Sequence, residues 1–201
     1  MINALYKYVK FEAAKAILQN CSLKFSAPGT FNDPFDCDIN LLDFNYNDKI
    51  HPTFQHEIGL MKKKYAAYPG IQRIKWEDGY KHAQVQKINK SRICCFSLVN
   101  SSTLMWSHYA DSHNGICFEF DNNAGNKFLK LNNENISYGL VHYGLKERIN
   151  YLQHDRQLGI FKLFFTKSEE WVYEKEFRMI SLSAKDFEKF YPEFAPPFSS
   201  P

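Results

Sequence analysis

The sequence predicts an α+β domain with a small split sheet, mixed or antiparallel, flanked by helices. Two observations carry this. Short runs that alternate or stay apolar over strand length are interleaved with stretches of helical spacing. At 201 residues and 44% hydrophobic, the chain is long enough for one sizeable core and short for two. Residues 1–201 therefore read as a single domain.

Leu5 to Val9 alternates as a strand, Phe11 to Gln19 spaces Ala14, Ile17 and Leu18 as a helix, and Leu23 to Ser26 alternates again. The loop that follows, "APGTFNDPFDCD", concentrates Pro, Gly, Asn and Asp, each a turn former for its own reason. Phe54 to about Tyr68 reads as a helix ended by "YPG", and a polar helical stretch continues to Lys90. "RICCFSLV" is an apolar run of strand length, "SSTLMWSHYAD" opens on Ser/Thr caps, and "GICFEFD" alternates cleanly. "ISYGLVHYG" is expected as a strand, "YLQHDRQLGIFKLFFTK" as a helix and "VYEKEFRMISL" as a last strand. From about residue 186 the Pro/Ser-rich end reads as a loosely held tail.

Net charge is +3, without the concentrated basic surface of a dedicated nucleic-acid binder. Five cysteines, odd in number, lie mostly in apolar surroundings and fit neither a zinc ribbon nor a secreted disulfide framework. With no apolar run of about 18 residues, a soluble cytoplasmic protein with no membrane partner is expected. Aromatic residues are 16% of the chain, which makes aromatic pocket walls the expectation.

Three stretches carry the chemistry. On a strand, "WVYEKEFRMISL" points Glu174, Glu176 and Arg178 to one face, which is costly to bury unless the charges are paired or used. "MWSHYADSHNG" crowds Trp106, His108 and Tyr109 at a helix end; His108 and His113, five apart, share no helix face for a metal. "LYKYVK" sets Tyr6 and Tyr8 on one face and Lys7 on the other. The opening loop either tucks Phe25, Phe31 and Phe35 into the core or walls a site with Asn32 and Asp33. Asn32, Asp33 and Asp36 are expected near Glu176 or Arg178, and Trp106, His108 and Tyr109 at the same cleft. No Walker or dinucleotide-type glycine loop and no Gly-x-Ser-x-Gly elbow occurs.

Taken in order, "LYKY", "LKFSAPGTFNDPFD", "ICCFS", "LMWSHYADSHNGICFEFD" and "WVYEKEFR" resemble the bacterial domain of unknown function numbered 2971. More weakly, the organisation resembles the ADP-ribosyltransferase fold, with "LYKY" for the first motif, Ser26 for the serine motif and "EKE" for Glu-x-Glu. The first strand has no arginine or histidine, and Ser26 is not followed by Thr-Ser.

That second resemblance implies an ADP-ribosyltransferase-like fold and an NAD-consuming enzyme, a bacterial toxin or phage-defence effector. In it Glu176 stabilises an oxocarbenium ion, and Glu174 orients or deprotonates the acceptor. Tyr6 or Tyr8 would stack on nicotinamide, and Lys7 or Arg178 would face phosphate. Ser26, Asn32, Asp33, Trp106, His108 and Tyr109 complete the expected binding residues. NAD as substrate, a protein or nucleic-acid acceptor and a neutralising partner follow from this reading. The rivals are a metal-dependent nuclease using Asp33, Asp36, Glu119 and Glu176 with Lys167 or Lys175, and a non-enzymatic binding module.

Overall fold

Alternation in the first strand decides what each side of the molecule becomes. In the computed structural model, which describes residues 2–46, 49–67, 75–121, 136–145 and 147–181, β1 (Ala4–Val9) buries Leu5 and Val9 on one side and Tyr8 on the other. Helix α1 (Phe11–Asn20) buries Ala14 and Ile17 against Val9 and ends on Cys21 in the left-handed region. The strand expected at Leu23–Ser26 contracts to one bridge between Ser26 and Ile93. Pro28, which has no N–H to donate, opens a 3-10 turn (Pro28–Thr30) immediately afterwards.

After β2 (Leu42–Asp43), helices α2 (Pro52–Ala66) and α3 (Trp76–Asn89) fill the polar stretch as expected. The "YPG" between them lies outside the described residues. Then come β3 (Arg92–Ser97), α4 (Thr103–Tyr109), whose Ser102 side chain caps Met105 N, and β4 (Ile116–Asp121). The expected strand from Ile136 to Gly144 is two elements, β5 (Ile136–Leu140) and β6 (His142–Tyr143).

After β7 (Ile149–Asn150), α5 (Arg156–Phe164) is shorter than its apolar pattern. Asp155 caps Leu158 N at its start, while Tyr151 and Leu152 are buried in the preceding turn. The chain continues through β8 (Thr166–Lys167), a 3-10 turn (Glu169–Glu174) and β9 (Glu176–Ser181). The expected tail from about residue 186 lies outside the described residues.

The fold is mixed α+β. Its main sheet has the order β4-β1-β3-β9-β5 with every described neighbour antiparallel, and two short parallel pairs, β2-β7 and β6-β8, stand apart. One face of the sheet is apolar: Leu5, Cys94, Phe96, Phe120, Phe177 and Met179 form a single buried cluster. On the other face, Ile93 and Ile180 join the core under α2, α3 and α5, and Tyr8 packs with Met105 and Ala110 at α4. Between these two packed ends, the same face carries Ser97, Glu176 and Arg178.

Candidate functional site

Register builds the floor of the site. Ser97 pairs with Tyr6 on one side and Glu176 on the other, and Cys95 pairs with Arg178, so polar side chains of three strands stand in one row. Glu176 and Arg178 share a strand face as the spacing required. Glu174 reaches them by another route: it ends the 3-10 turn, and Lys175, at φ 42° and ψ 56°, reverses the chain before β9 begins. Lys175 is exposed in that turn and precedes β9, so the strand expected over "VYEKEFRMISL" begins later than its pattern suggested.

Five charges meet there: Asp36, Lys167, Glu174 and Glu176, each at most 5% exposed, and Arg178 at 0%. Arg178 Nε donates to Glu176 Oε1 at 2.5 Å and Nη2 to Glu176 Oε2 at 2.9 Å. Its Nη1 and Nη2 grip Asp36 as a fork at 2.9 and 2.5 Å, and Nη1 also donates to Phe164 O at 2.6 Å. Five guanidinium donors thus meet five oxygen acceptors. Arg178 has no donor left for a ligand phosphate, and the expected phosphate role is corrected to a tie between the opening loop, α5 and β9.

Lys167 holds the other side. Its Nζ lies 2.6 Å from Glu174 Oε2, 3.4 Å from Glu176 Oε2 and 3.6 Å from Asp36 Oδ2, and 4.8 Å from the Trp171 ring. Tyr109 donates its hydroxyl to Glu174 Oε1 at 2.5 Å, and Asn32 Nδ2 donates to Tyr109 at 3.3 Å. Ser97 Oγ donates to Glu174 O at 2.6 Å, while the Glu176 N–H donates to the Tyr143 hydroxyl at 2.7 Å. The opening loop is therefore held twice, by Asp36 at Arg178 and by Asn32 at Tyr109.

The two glutamates titrate in opposite directions. Burial pushes Glu174 up to about 7, against the pull of Lys167. Burial also acts on Glu176, but the Arg178 guanidinium outweighs it and holds the carboxyl down at about 2. For Lys167 the desolvation that lowers an ammonium is outweighed by Glu176, Glu174 and Asp36, and its pKa rises. Burial and then Glu174 raise the Tyr109 hydroxyl, which stays protonated as the donor.

Above this floor lies a cavity of about 180 Å³. Its lining includes Tyr6, Lys7, Tyr8, Ser26 and Asn32 from the expected set, with Tyr109, Glu174, Glu176 and Arg178 at its inner end. Tyr8 spends its hydroxyl on Val99 O at 2.9 Å, leaving its ring as wall. Lys7 Nζ donates to Cys95 O at 2.8 Å and lies 5.2 Å from the Phe96 ring, while Lys24 lines the cavity from an exposed position.

Three expected residues fall outside this lining. Asp33 is buried, but its Oδ1 accepts from Phe35 N at 2.9 Å within its own loop, and its Oδ2 has no hydrogen-bond partner among the described residues. Trp106 donates to Asn100 O and packs edge-on against Tyr8 at 5.3 Å. His108 is exposed, 6.1 Å from the Tyr173 ring. The seven-residue helix turns Met105 and Tyr109 inward at i and i+4, so Trp106 and His108 point elsewhere. In the opening loop, Phe31 lines the cavity and lies 5.7 Å from the Arg178 guanidinium, but Phe35 is 65% exposed and is no core residue.

The four carboxylates of the nuclease reading do not all converge, although Asp36 and Glu176 meet at Arg178 and Lys167. Glu119 is exposed on β4, three strands from Glu176 on β9 and so about 14 Å away across the sheet. No group of three His, Cys, Asp or Glu residues is placed to hold a metal ion among the described residues. Sequence reading missed Tyr143 and Cys95, placed Asp36 near Arg178, where it lies, and gave Lys167 weight only for a nuclease. Lys167 had a usable signal, since it closes the apolar run "IFKLFFTK" where a buried cation needs a partner.

Fold and site together define an α+β domain with a cavity floored by a buried ion network. Residues 105–179 match the family described as "Protein of unknown function (DUF2971)", the family that the motifs within them resemble. The match covers "MWSHYADSHNGICFEFD" and "WVYEKEFR"; "LYKY" and the opening loop lie before it. No curated protein and no solved structure matches the chain. No helix among the described residues is long and apolar enough to cross a membrane.

Proposed function

We propose that the cavity binds the nicotinamide end of NAD and that the chain is an ADP-ribosyltransferase-like, NAD-consuming enzyme. The observation that carries this reading is the charge count of the floor. Asp36, Glu174 and Glu176 face only Lys167 and Arg178 within the buried network, so one carboxylate is in excess beneath walls that include Tyr6, Tyr8 and Phe31. When the bond between nicotinamide and ribose C1′ breaks, its electron pair stays on the ring nitrogen and positive charge develops on the ribose. A negative floor favours that charge more than it favours the ground state.

The two carboxylates divide the work by environment. Glu176 stays ionised beside Arg178 and supplies fixed negative charge. Glu174, raised to about 7, is matched to taking the proton from the acceptor as that acceptor attacks C1′. The acceptor, on a protein or nucleic acid, is open in this reading, as is a toxin or phage-defence setting with a neutralising partner.

The test is nicotinamide release from NAD by wild type, Glu176→Gln and Glu174→Gln, each checked for folding. Loss of the fixed charge in Glu176→Gln is expected to cost on the order of a hundredfold in rate with little change in NAD affinity. Equal turnover by wild type and Glu176→Gln would sink the assignment. A second reading, a non-enzymatic binding module, draws on the pairing of every Asp36 and Glu176 oxygen with Arg178. NAD binding without nicotinamide release, whatever the acceptor supplied, would favour it.

A further inference from the structure

We propose that the inner end of the cavity is a cation-selective ring site: it takes a planar, positively charged heteroaromatic ring in preference to the neutral ring of the same shape. The inference rests on the proposed reading for the identity of the ring, and on the floor's own charge and geometry for its sign.

Size comes first. A cavity of about 180 Å³ is well below the roughly 300 Å³ at which drug-sized ligand pockets begin, so it accommodates one ring rather than a whole dinucleotide. Sign follows from the inner wall. Three carboxylates against two cations leave an unbalanced negative charge, and the excess can be assigned to Glu174. The forked contacts of Arg178 balance Asp36 and Glu176 jointly, and Lys167 is shared among all three. Each Glu174 oxygen has one side-chain partner, Tyr109 on Oε1 and Lys167 on Oε2. A carboxylate accepts at about four positions, so Glu174 keeps acceptor capacity.

The remaining cations of the lining do not cancel this charge where it matters. Lys7 keeps its charge but projects from β1 on the side opposite Tyr6 and Tyr8, over the Phe96 ring, and Lys24 is exposed, where solvent screens it. Aromatic walls add to the preference, because a ring face attracts a cation and not its neutral counterpart. The polarity, negative inside with an exposed lysine on the lining, fits a ligand whose ring is cationic and whose tail is anionic.

The experiment compares two probes of nearly one shape, the N-methylnicotinamidium cation and neutral nicotinamide, by calorimetric titration of the full chain near pH 8, where Glu174 is ionised. The cation is expected to bind about tenfold more tightly. That preference should shrink in Glu174→Gln, which removes the excess charge. In wild type the preference should also shrink as pH falls from 8 towards 6 and Glu174 takes up a proton, a second measurement should Glu174→Gln not fold.

Equal affinities, tighter binding of the neutral ring or no binding of either probe overturns the inference. Nicotinamide release from NAD, measured on the same preparation, separates it from the functional reading. Cation preference without NAD cleavage would leave the ring site standing and remove the enzyme. NAD cleavage with no cation preference would do the reverse.

Discussion

Arg178 and Glu174 belong to one buried charge network, yet they are used in opposite ways. Around Arg178 every donor meets a fixed acceptor, on the opening loop, on α5 and on β9 itself. The Glu174 carboxyl has two side-chain partners among the described residues, Tyr109 and Lys167, and borders the cavity with its pKa raised by burial. A buried ion saturated with partners organises the chain and has nothing left to offer a ligand. A buried ion left with open positions is held at a cost in stability, and such a cost is a usual mark of a working site.

The largest effect should come from breaking the saturated half. Arg178→Ala leaves Asp36 and Glu176 buried without their main counter-ion, and removing one partner of a buried pair costs on the order of 3–5 kcal/mol. Denaturant unfolding should show this as a large drop in midpoint, and Arg178→Lys should recover only part of it, because an ammonium cannot make two forks at once. A loss under about 1 kcal/mol would mean that Arg178 is no structural tie and would erase the contrast with Glu174.

The open half should show itself through pH. A carboxyl whose folded pKa is raised favours the protonated native state, so its contribution is fully present below its unfolded value and is lost as pH rises through about 7. For Glu174 the loss between pH 5 and pH 8 is on the order of 2 kcal/mol, and Glu174→Gln should abolish it. Glu176 behaves in the opposite sense. Its pKa is lowered to about 2, so its contribution holds above the ordinary carboxylate range and disappears as pH falls toward 2. Melting temperature against pH for wild type and Glu174→Gln checks both limbs, and parallel curves would sink the assignment.

Both halves were partly legible in the sequence, for different reasons. Period-two spacing placed Glu176 and Arg178 on one face, and that face is a property of β9 alone. The density of turn formers marked the opening loop as rigid, and Asp36 is indeed held at Arg178. Side-chain direction from a short helix was less readable: Tyr109 points into the cavity, but Trp106 and His108 do not. The strand expected to start at Val172 gave way to a 3-10 turn, because a left-handed residue is a tertiary outcome that lysine does not advertise. Lys167 and Tyr143 arrive from β8 and β6, two-residue strands too short for any periodicity to announce.

The smallest expected effect lies at the joint between the two glutamates. Lys175 holds φ at 42°, and a non-glycine residue there pays about 1–2 kcal/mol that glycine avoids. Its backbone bonds, Lys175 N to Val172 O at 3.2 Å and Leu98 N to Lys175 O at 2.9 Å, survive any side-chain change, and the side chain itself is exposed. Lys175→Gly should therefore raise stability by about 1 kcal/mol or less, since glycine also gains freedom in the unfolded chain. Lys175→Val should lower it, because a branched Cβ is least tolerated at positive φ. If packing under Tyr109 and Lys167, rather than stiffness of the joint, holds Glu174, its pH limb should be unchanged in Lys175→Gly. A shift of that limb toward the ordinary carboxylate range would show instead that the strained turn presses Glu174 into the cavity wall, making the joint a working part of the open half.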